Sequence, residues 1–230
     1  MHLKRNSAGR QERKMNIVIP TWNAAAVLPA TLASVAEAGA GILVADAHSP
    51  DGTAEIARRL GATVIQAPRG RGAQLAAGGA AASQEWLLFL HADTRLEAGW
   101  SATARRFMQG PPAAAHFAFM LDDPSPGARR MERMVAWRCR TFGLPYGDQG
   151  LLIHRTLYDA VGGFHAMPLM EDVDLIRRLR PIRPTALPIR AVTSAERWRG
   201  RGFHGRSARN LSILALYFAG VPPRWLARLY

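Results

Sequence analysis

Cysteine is almost missing from this chain. Cys139 is the only one, which excludes an internal disulfide framework and every zinc pattern built on several thiols. We read it as a buried, inert thiol. Long apolar runs are missing too, since no segment reaches the roughly 18–20 residues needed to span a bilayer. Met1 to Lys14 is polar and basic without an apolar core, so it does not read as a secretory signal. Met15 would serve equally as a start, with residues 1–14 a disordered extension. These absences make a cytoplasmic protein the default reading. No internal repeat or low-complexity tract occurs beyond local alanine richness.

Acidic residues are scarce as well, 17 against 30 basic ones, for a net charge of +13. The shortage is confined to the ends. Residues 1–14 hold five basic and one acidic residue, residues 180–230 ten and one, and residues 15–179 fifteen of each. A neutral body with a basic C-terminal end suits a phosphate-bearing ligand or an anionic membrane surface. It does not call for nucleic acid. The 230 residues, 48% of them hydrophobic, suffice for one substantial core.

The first half alternates short apolar runs with helical periodicity. Residues 16–20, 41–45, 63–66 and 86–90 read as strands, and residues 24–39, 53–60 and 73–83 as helices, the second closed by Gly61 as a C-cap. That order predicts a mainly parallel α/β layer with right-handed crossovers. The second half is less regular. Helices are expected over 97–109, 128–142, 155–161 and 172–180, and strands over 114–121 and 151–154, with Pro111-Pro112 and Pro181 as breaks. We place a single catalytic domain at 15–206 and a basic helical tail at 207–230. The tail's apolar stretch from Leu211 to Val221 admits two readings, a helix packed on the core or an amphipathic helix on a membrane surface.

Three apolar strands each end in polar groups. Ile17-Val18-Ile19-Pro20-Thr21-Trp22-Asn23 is the first. Leu43-Val44-Ala45-Asp46 runs on into Ser49-Pro50-Asp51-Gly52-Thr53, and Leu87-Leu88-Phe89-Leu90 runs on into His91-Ala92-Asp93. In open parallel sheets, ligands bind at the carboxyl ends of strands. Asp46 is placed to accept hydrogen bonds from a base or ribose, whereas Asp51 and Thr53 are covered by turn and cap chemistry. Arg69-Gly70-Arg71-Gly72 precedes a helix, where close backbone approach and a helix N-terminus attract phosphate. Asp93 can hold Mg²⁺ or Mn²⁺ on a diphosphate, since such ions accept one or two protein carboxylates. Glu171-Asp172-Val173-Asp174 carries more carboxylates than a helix start needs, and general-base duty for one of them is the sharper reading.

Taken in order, these pieces resemble glycosyltransferase family 2, inverting nucleotide-sugar transferases of GT-A fold. The resemblance rests on Ile19-Pro20-Thr21-Trp22-Asn23, on Asp46 through Thr53, on His91-Ala92-Asp93 and on Glu171-Asp172. Gly70 to Gln74, Leu90 to Thr94 and Gly147-Asp148-Gln149-Gly150 are similar to a compact subgroup labelled arsenosugar-biosynthesis or selenodomain-associated glycosyltransferases. The resemblance implies donor contacts at Pro20, Thr21, Asn23, Asp46, Arg71, Gln74 and Ala92. It implies Asp172 as the catalytic base with Glu171 beside it, and an acceptor side at Gly147, Asp148 and Gln149. Asp93 would hold a divalent cation, helped by His91 or His204. His91 stands where the family's metal motif has its first Asp, so one carboxylate remains there.

The expected partners are a nucleotide sugar, UDP-linked by default, and an unidentified small or lipid-linked acceptor, with membrane contact through the tail. Two rival readings are a nucleotidyltransferase of similar fold and a basic lipid- or nucleic-acid-binding protein. Release of a nucleoside diphosphate rather than pyrophosphate separates the first rival. Insensitivity to Asp93→Ala would mark the second.

Overall fold

A computed structural model describes residues 14–196 and 203–229. Eight strands form one sheet in the order β3-β2-β1-β4-β7-β6-β8-β5. They are β1 (Met15–Thr21), β2 (Gly41–Asp46), β3 (Thr63–Gln66), β4 (Trp86–Phe89), β5 (Thr94–Leu96), β6 (Ala114–Leu121), β7 (Leu151–His154) and β8 (Thr185–Thr193). The β3-β2-β1-β4 half is parallel. Beyond β4 the sheet turns mixed: β7 is antiparallel to both β4 and β6, β8 is parallel to β6, and β5 is antiparallel to β8.

The helices are α1 (Leu28–Val35), α2 (Thr53–Arg59), α3 (Arg71–Ala81), α4 (Trp100–Met108), α5 (Pro126–Phe142), α6 (Arg155–Ala160), α7 (Glu171–Arg178), α8 (Phe203–Phe218) and α9 (Pro223–Leu229). Strand alternation deals side chains to two cores. Ile17, Ile19, Trp86 and Leu88 face one layer, where Leu28, Leu32, Trp100 and Met108 of α1 and α4 are buried. Val18, Leu87 and Phe89 face the other, against Leu75, Tyr158, Leu175 and Ile176 of α3, α6 and α7. Helix α3 lies so close that a Cβ on Gly78 would strike Val18 and one on Gly79 would strike the Tyr158 ring.

Several boundaries differ from the sequence expectation. Helix α1 starts at Leu28 rather than residue 24; Ala24 and Ala25, in the turn before it, donate their amides to the Thr53 hydroxyl and the Asp51 carboxylate. Strands β5 and β8 were not anticipated. Pro188 breaks the strand signal of β8, and the register with β6 shifts between Phe117 and Ala118 to pass it. β5 pairs only with Ala191 to Thr193, so Pro188 sits where a bulge and an open edge tolerate a missing amide.

The tail also resolves differently. Helix α8 begins at Phe203, ahead of the expected boundary at 206/207, and α9 is separate from it. Ile213 and Leu226 are buried with Leu169, which supports the core-packing reading for that face. Cys139 is half-buried rather than fully buried, and burial pushes its thiol pKa up, in keeping with an inert group.

Candidate active site

Parallel pairing brings the carboxyl ends of β1, β2 and β4 to one edge of the sheet. The first two are tied together from below. Gln74, buried on α3, donates its Nε2 to the carbonyls of Thr21 (2.6 Å) and Ala45 (2.9 Å). Asp46 is fully buried, and its carboxylate accepts the Thr21 hydroxyl at 2.8 Å, the Ser49 hydroxyl at 2.7 Å and the Ser49 amide at 2.8 Å. Asn23 adopts a left-handed φ of 51° and donates its amide to Ser49 Oγ at 3.0 Å. Thus Thr21, Asn23, Asp46 and Gln74 form one connected group, with Pro20 buried in β1 beside it. In this group Asp46 and Gln74 spend their polar atoms on holding the two loops in register.

The open cleft is lined by none of these residues and is linked to them through α3, which carries both Gln74 and Arg71. It encloses about 890 Å³ and is lined by Arg71, His91, Asp93, Tyr146, Gly147, Asp148, Met170, Asp172, Thr193 and Ser194, with Asn210 and Ile213 of α8 on one wall. A smaller cavity of about 360 Å³ shares His91, Tyr146, Gly147 and Asp172 with it. Six segments distant in sequence therefore converge: the start of α3, the end of β4, the 146–149 turn, the start of α7, the end of β8 and α8.

Gly147 is the tightest point. Its amide donates to Asp172 Oδ2 at 2.9 Å, and a Cβ there would meet His91 Nε2 and come within 2.9 Å of the same Asp172 oxygen. Only glycine leaves that space open. Met170, the residue before α7, sits at φ 68°. Left-handed backbone at a non-glycine residue costs on the order of 1–3 kcal/mol and tends to gather at functional sites. Gly72 is close-packed as well, with the His165 carbonyl 2.5 Å and the Met167 carbonyl 2.6 Å from where a Cβ would stand.

Charges are concentrated here. Arg71 Nε pairs with Glu171 Oε1, so the glycine-arginine loop is tied to the helix that carries Asp172. Glu171 is almost fully buried, and burial raises its pKa, reinforced by Asp172 and opposed by Arg71. Asp148 is pushed up from 3.8 to about 6 by burial, with Asp172 and Asp93 adding to the rise while Arg138 and Arg71 oppose it. Among the described residues, Glu171 Oε2 and Asp148 Oδ1 are buried oxygens without a hydrogen-bond partner. Buried acceptors of that kind call for an explanation such as a bound ion or ligand. No group of three His, Cys, Asp or Glu among the described residues stands close enough to chelate a metal unaided. Asp93 is the carboxylate that lines the cleft on the β4 side.

The glycosyl transferase family 2 model matches residues 16–169. The chain belongs to this family. It is 40% identical over 86 residues to an uncharacterised glycosyltransferase of Mycobacterium tuberculosis, a match covering 37% of this chain and 39% of that relative. The same figures hold for a counterpart in Mycobacterium bovis. The chain thus spans well under half of the curated relatives it matches. Among solved structures, a mannosyltransferase from Pyrobaculum calidifontis, in complex with GDP-Man and Mn²⁺, aligns over 96% of this chain and 69% of its own. The TM-score is 0.68 at 19% identity. Residues 1–349 of TarS from S. aureus align with a TM-score of 0.65 at 15% identity, over 79% of this chain and 60% of that one. Mannosyl-3-phosphoglycerate synthase from Rubrobacter xylanophilus aligns at 0.56 and 18%, over 91% and 76%. These likenesses establish the GT-A fold.

Within this family 2 chain, the structure gathers Arg71, His91, Asp93, Gly147, Asp148 and Asp172 in one cleft. Glu171 lies beneath, joined through Arg71. Ala92 is occupied at its carbonyl by the Thr31 hydroxyl at 2.7 Å. Gln149 points away from the cleft: it is buried and bonds Arg138 Nη2, Cys139 Sγ and the Phe117 carbonyl. The side chain of His204, with Arg197, Arg199 and Arg201, lies outside the described residues.

Some contributors were not anticipated. Arg138 stacks 3.5 Å from the Tyr146 ring centroid and donates to the Leu144 carbonyl at 3.0 Å, bracing the turn that carries Gly147. Thr193 donates to the Asp148 carbonyl at 3.3 Å, and the Ser194 amide donates to the Asp93 carbonyl at 3.3 Å. Both belong to the end of β8, so missing that strand hid them. The Arg-rich periodicity of α5 was visible, but nothing in it marks which arginine turns inward.

Proposed function

We propose that this protein is an inverting glycosyltransferase that moves a sugar from a nucleotide-sugar donor to an acceptor hydroxyl. The observation that carries the reading is the shared cleft in which Arg71 and Asp93 face Asp172 across the Gly147 turn. The donor nucleoside lies over the Thr21-Asn23-Asp46 loops and its diphosphate runs toward Arg71 and Asp93. Pro20 and Gln74 shape that floor, Gln74 by holding β1 to β2, and Ala92 sets the backbone ahead of Asp93. Gly147 and Asp148 front the acceptor, with Gln149 bracing them from behind.

Asp172 takes the proton of the acceptor hydroxyl, whose oxygen forms a bond to the anomeric carbon. The bond from that carbon to the phosphate oxygen breaks, and the electron pair leaves with the nucleoside diphosphate. Attack from the opposite face inverts the anomeric centre. The Gly147 amide fixes one oxygen of Asp172, leaving the other directed at the acceptor. Glu171 holds Arg71 by ion pairing and so acts as a positioning residue. Arg71 offsets the charge growing on the departing phosphate.

A divalent cation, Mg²⁺ or Mn²⁺, fits the residues present. One carboxylate at Asp93, together with substrate phosphates and water, is a normal complement for such an ion, and His91 stands beside it. When bound, the cation would neutralise negative charge on the diphosphate. The Pyrobaculum neighbour's complex with Mn²⁺ and GDP-Man supports cation and nucleotide-sugar use by the same fold. We assign a UDP-sugar as donor on the family resemblance, with GDP-mannose as the competing donor to be tested alongside it. The acceptor is a small or lipid-linked hydroxyl compound, and the narrower subgroup resemblance rests on the Gly70–Gln74, Leu90–Thr94 and Gly147–Gly150 segments. No helix among the described residues is long and apolar enough to cross a membrane; residence in the cytoplasm, with peripheral membrane contact, is part of the proposal.

The test is Asp172→Asn. The variant is expected to keep nucleotide-sugar binding, read by calorimetry, and to lose nucleoside diphosphate release by at least a hundredfold, within the range general-base removal gives. Turnover within tenfold of the parent removes Asp172 from the role. Pyrophosphate as the product overturns the reaction class.

A further inference from the structure

Helix α8 walls the cleft and helix α5 lies behind the turn that lines it, and each turns a second face to water. Helix α5 braces the acceptor-side turn through Arg138 and Cys139, both bonded to Gln149. On its outer side Arg130, Arg133, Met134, Trp137 and Arg140 recur at spacings of three and four, and all are exposed. Such spacing puts them on one face of the helix. Met134 is 48% exposed, Trp137 55% and Phe142 48%, and the two rings meet edge to face at 5.4 Å. Glu132, the only acid of this helix, turns inward to accept the Leu121 amide and pair with Arg129.

Helix α8 packs beside α5. It sends Asn210 and Ile213 into the cleft, while Leu211, Phe218 and, on α9, Trp225 and Leu229 are exposed. Arg224 and Arg228 are exposed among them, and no acidic residue follows Glu196 in the sequence. Near the start of α5, Pro124, Pro126, Arg129, Arg130 and Arg133 line a shallow basic groove.

Large apolar side chains left in water mark a contact surface. Arginine interleaved with Trp, Phe and Leu, without acids, is the chemistry of a helix lying in the interface of an anionic bilayer. A protein partner of ordinary composition would find no anionic complement to its own basic residues on this face, whereas lipid phosphates match the arginines throughout.

We propose that the outer face of α5, flanked by α8 and α9, docks on an anionic phospholipid bilayer. Trp137 and Trp225 sit at the headgroup boundary, and the basic groove takes headgroup phosphates by paired N–H contacts. A helix with its side chains is roughly 10–12 Å across. Docking therefore sets the cleft about one helix diameter from the lipid surface, within reach of an acceptor hydroxyl carried on a lipid. Only that last step rests on the proposed transferase reading.

The test is co-sedimentation of the full chain with vesicles of phosphatidylcholine alone or mixed with phosphatidylglycerol. The mixed vesicles are expected to pellet the protein, less so at high salt, and the neutral ones are not. The triple variant Arg130→Gln, Arg133→Gln, Arg140→Gln should weaken binding roughly a hundredfold, at about fivefold per arginine near an anionic surface. Trp137→Ala should weaken it with charge unchanged. Brominated acyl chains should quench the tryptophan fluorescence of the parent more than that of Trp137→Ala, which shows insertion. All these positions are exposed, so an unchanged Tm certifies the fold. Absence of pelleting with mixed vesicles at low salt overturns the proposal. So does pelleting unaltered by the triple variant, or a stable dimer in sedimentation velocity that Trp137→Ala dissolves. Nucleoside diphosphate release from soluble donors reads the transferase assignment separately, so either idea can fail alone.

Discussion

Replacing Asp148 by Asn isolates the cost of holding a carboxylate beside Asp93 and Asp172. Its folded pKa of about 6 stands above the ordinary 3.8. The folded state therefore binds more protons than the unfolded one between those two values, and stability falls as pH rises through that window. The full rise corresponds to about 3 kcal/mol at 1.36 kcal/mol per pH unit. Solvent reaches part of the residue, which reduces this to about 1–2 kcal/mol. Asp148→Asn abolishes the titration while keeping the shape. Urea unfolding from pH 4 to pH 8 should give variant and parent similar stabilities at the acid end, with the variant gaining that amount above about pH 7. The backbone bond from Thr193 to the Asp148 carbonyl persists in both. Parallel pH profiles, or a variant less stable than the parent at pH 8, would refute the burial argument.

Gly147→Ala is expected to displace His91 and Asp172, whose atoms occupy the place of the new Cβ. A shift of about 1 Å at the proposed base costs on the order of a hundredfold in kcat, with donor affinity read by calorimetry little changed; kcat within threefold of the parent would show that the turn yields freely. Gln74→Leu removes donors to two buried carbonyls. Because the Thr21 carbonyl keeps the Ala47 amide at 3.1 Å, the loss should be about 1–3 kcal/mol by urea unfolding; an unchanged midpoint would deny the stitch between β1 and β2. Asp93→Ala should erase the extra thermal stabilisation that Mn²⁺ adds to a nucleoside diphosphate complex, and an undiminished Mn²⁺ increment would place the ion elsewhere.

The parallel half of the fold was legible because each strand is a short apolar run closed by glycine, proline or a polar cap. Strands β5 and β8 were not legible: one is three residues long and the other contains Pro188, so neither carries a periodic signal of its own. Their pairing is set by tertiary context. At the site, carboxylates and Arg71 could be nominated by residue type. Which atoms they spend on the protein could not be read so, as Asp46 shows with three bonds to its own loops. Gln149 shows the same, since it turns inward toward Arg138 although its neighbours face the cleft.

The two walls of the cleft differ in how much alteration they tolerate. One is a glycine turn wedged between an imidazole and a carboxylate, where even a methyl group has no room. The other is built of Asn210 and Ile213 on a helix that enters the sequence after Asp172. Fitting the cleft to a different ligand is therefore a matter of resculpting the helical wall and leaving the turn untouched.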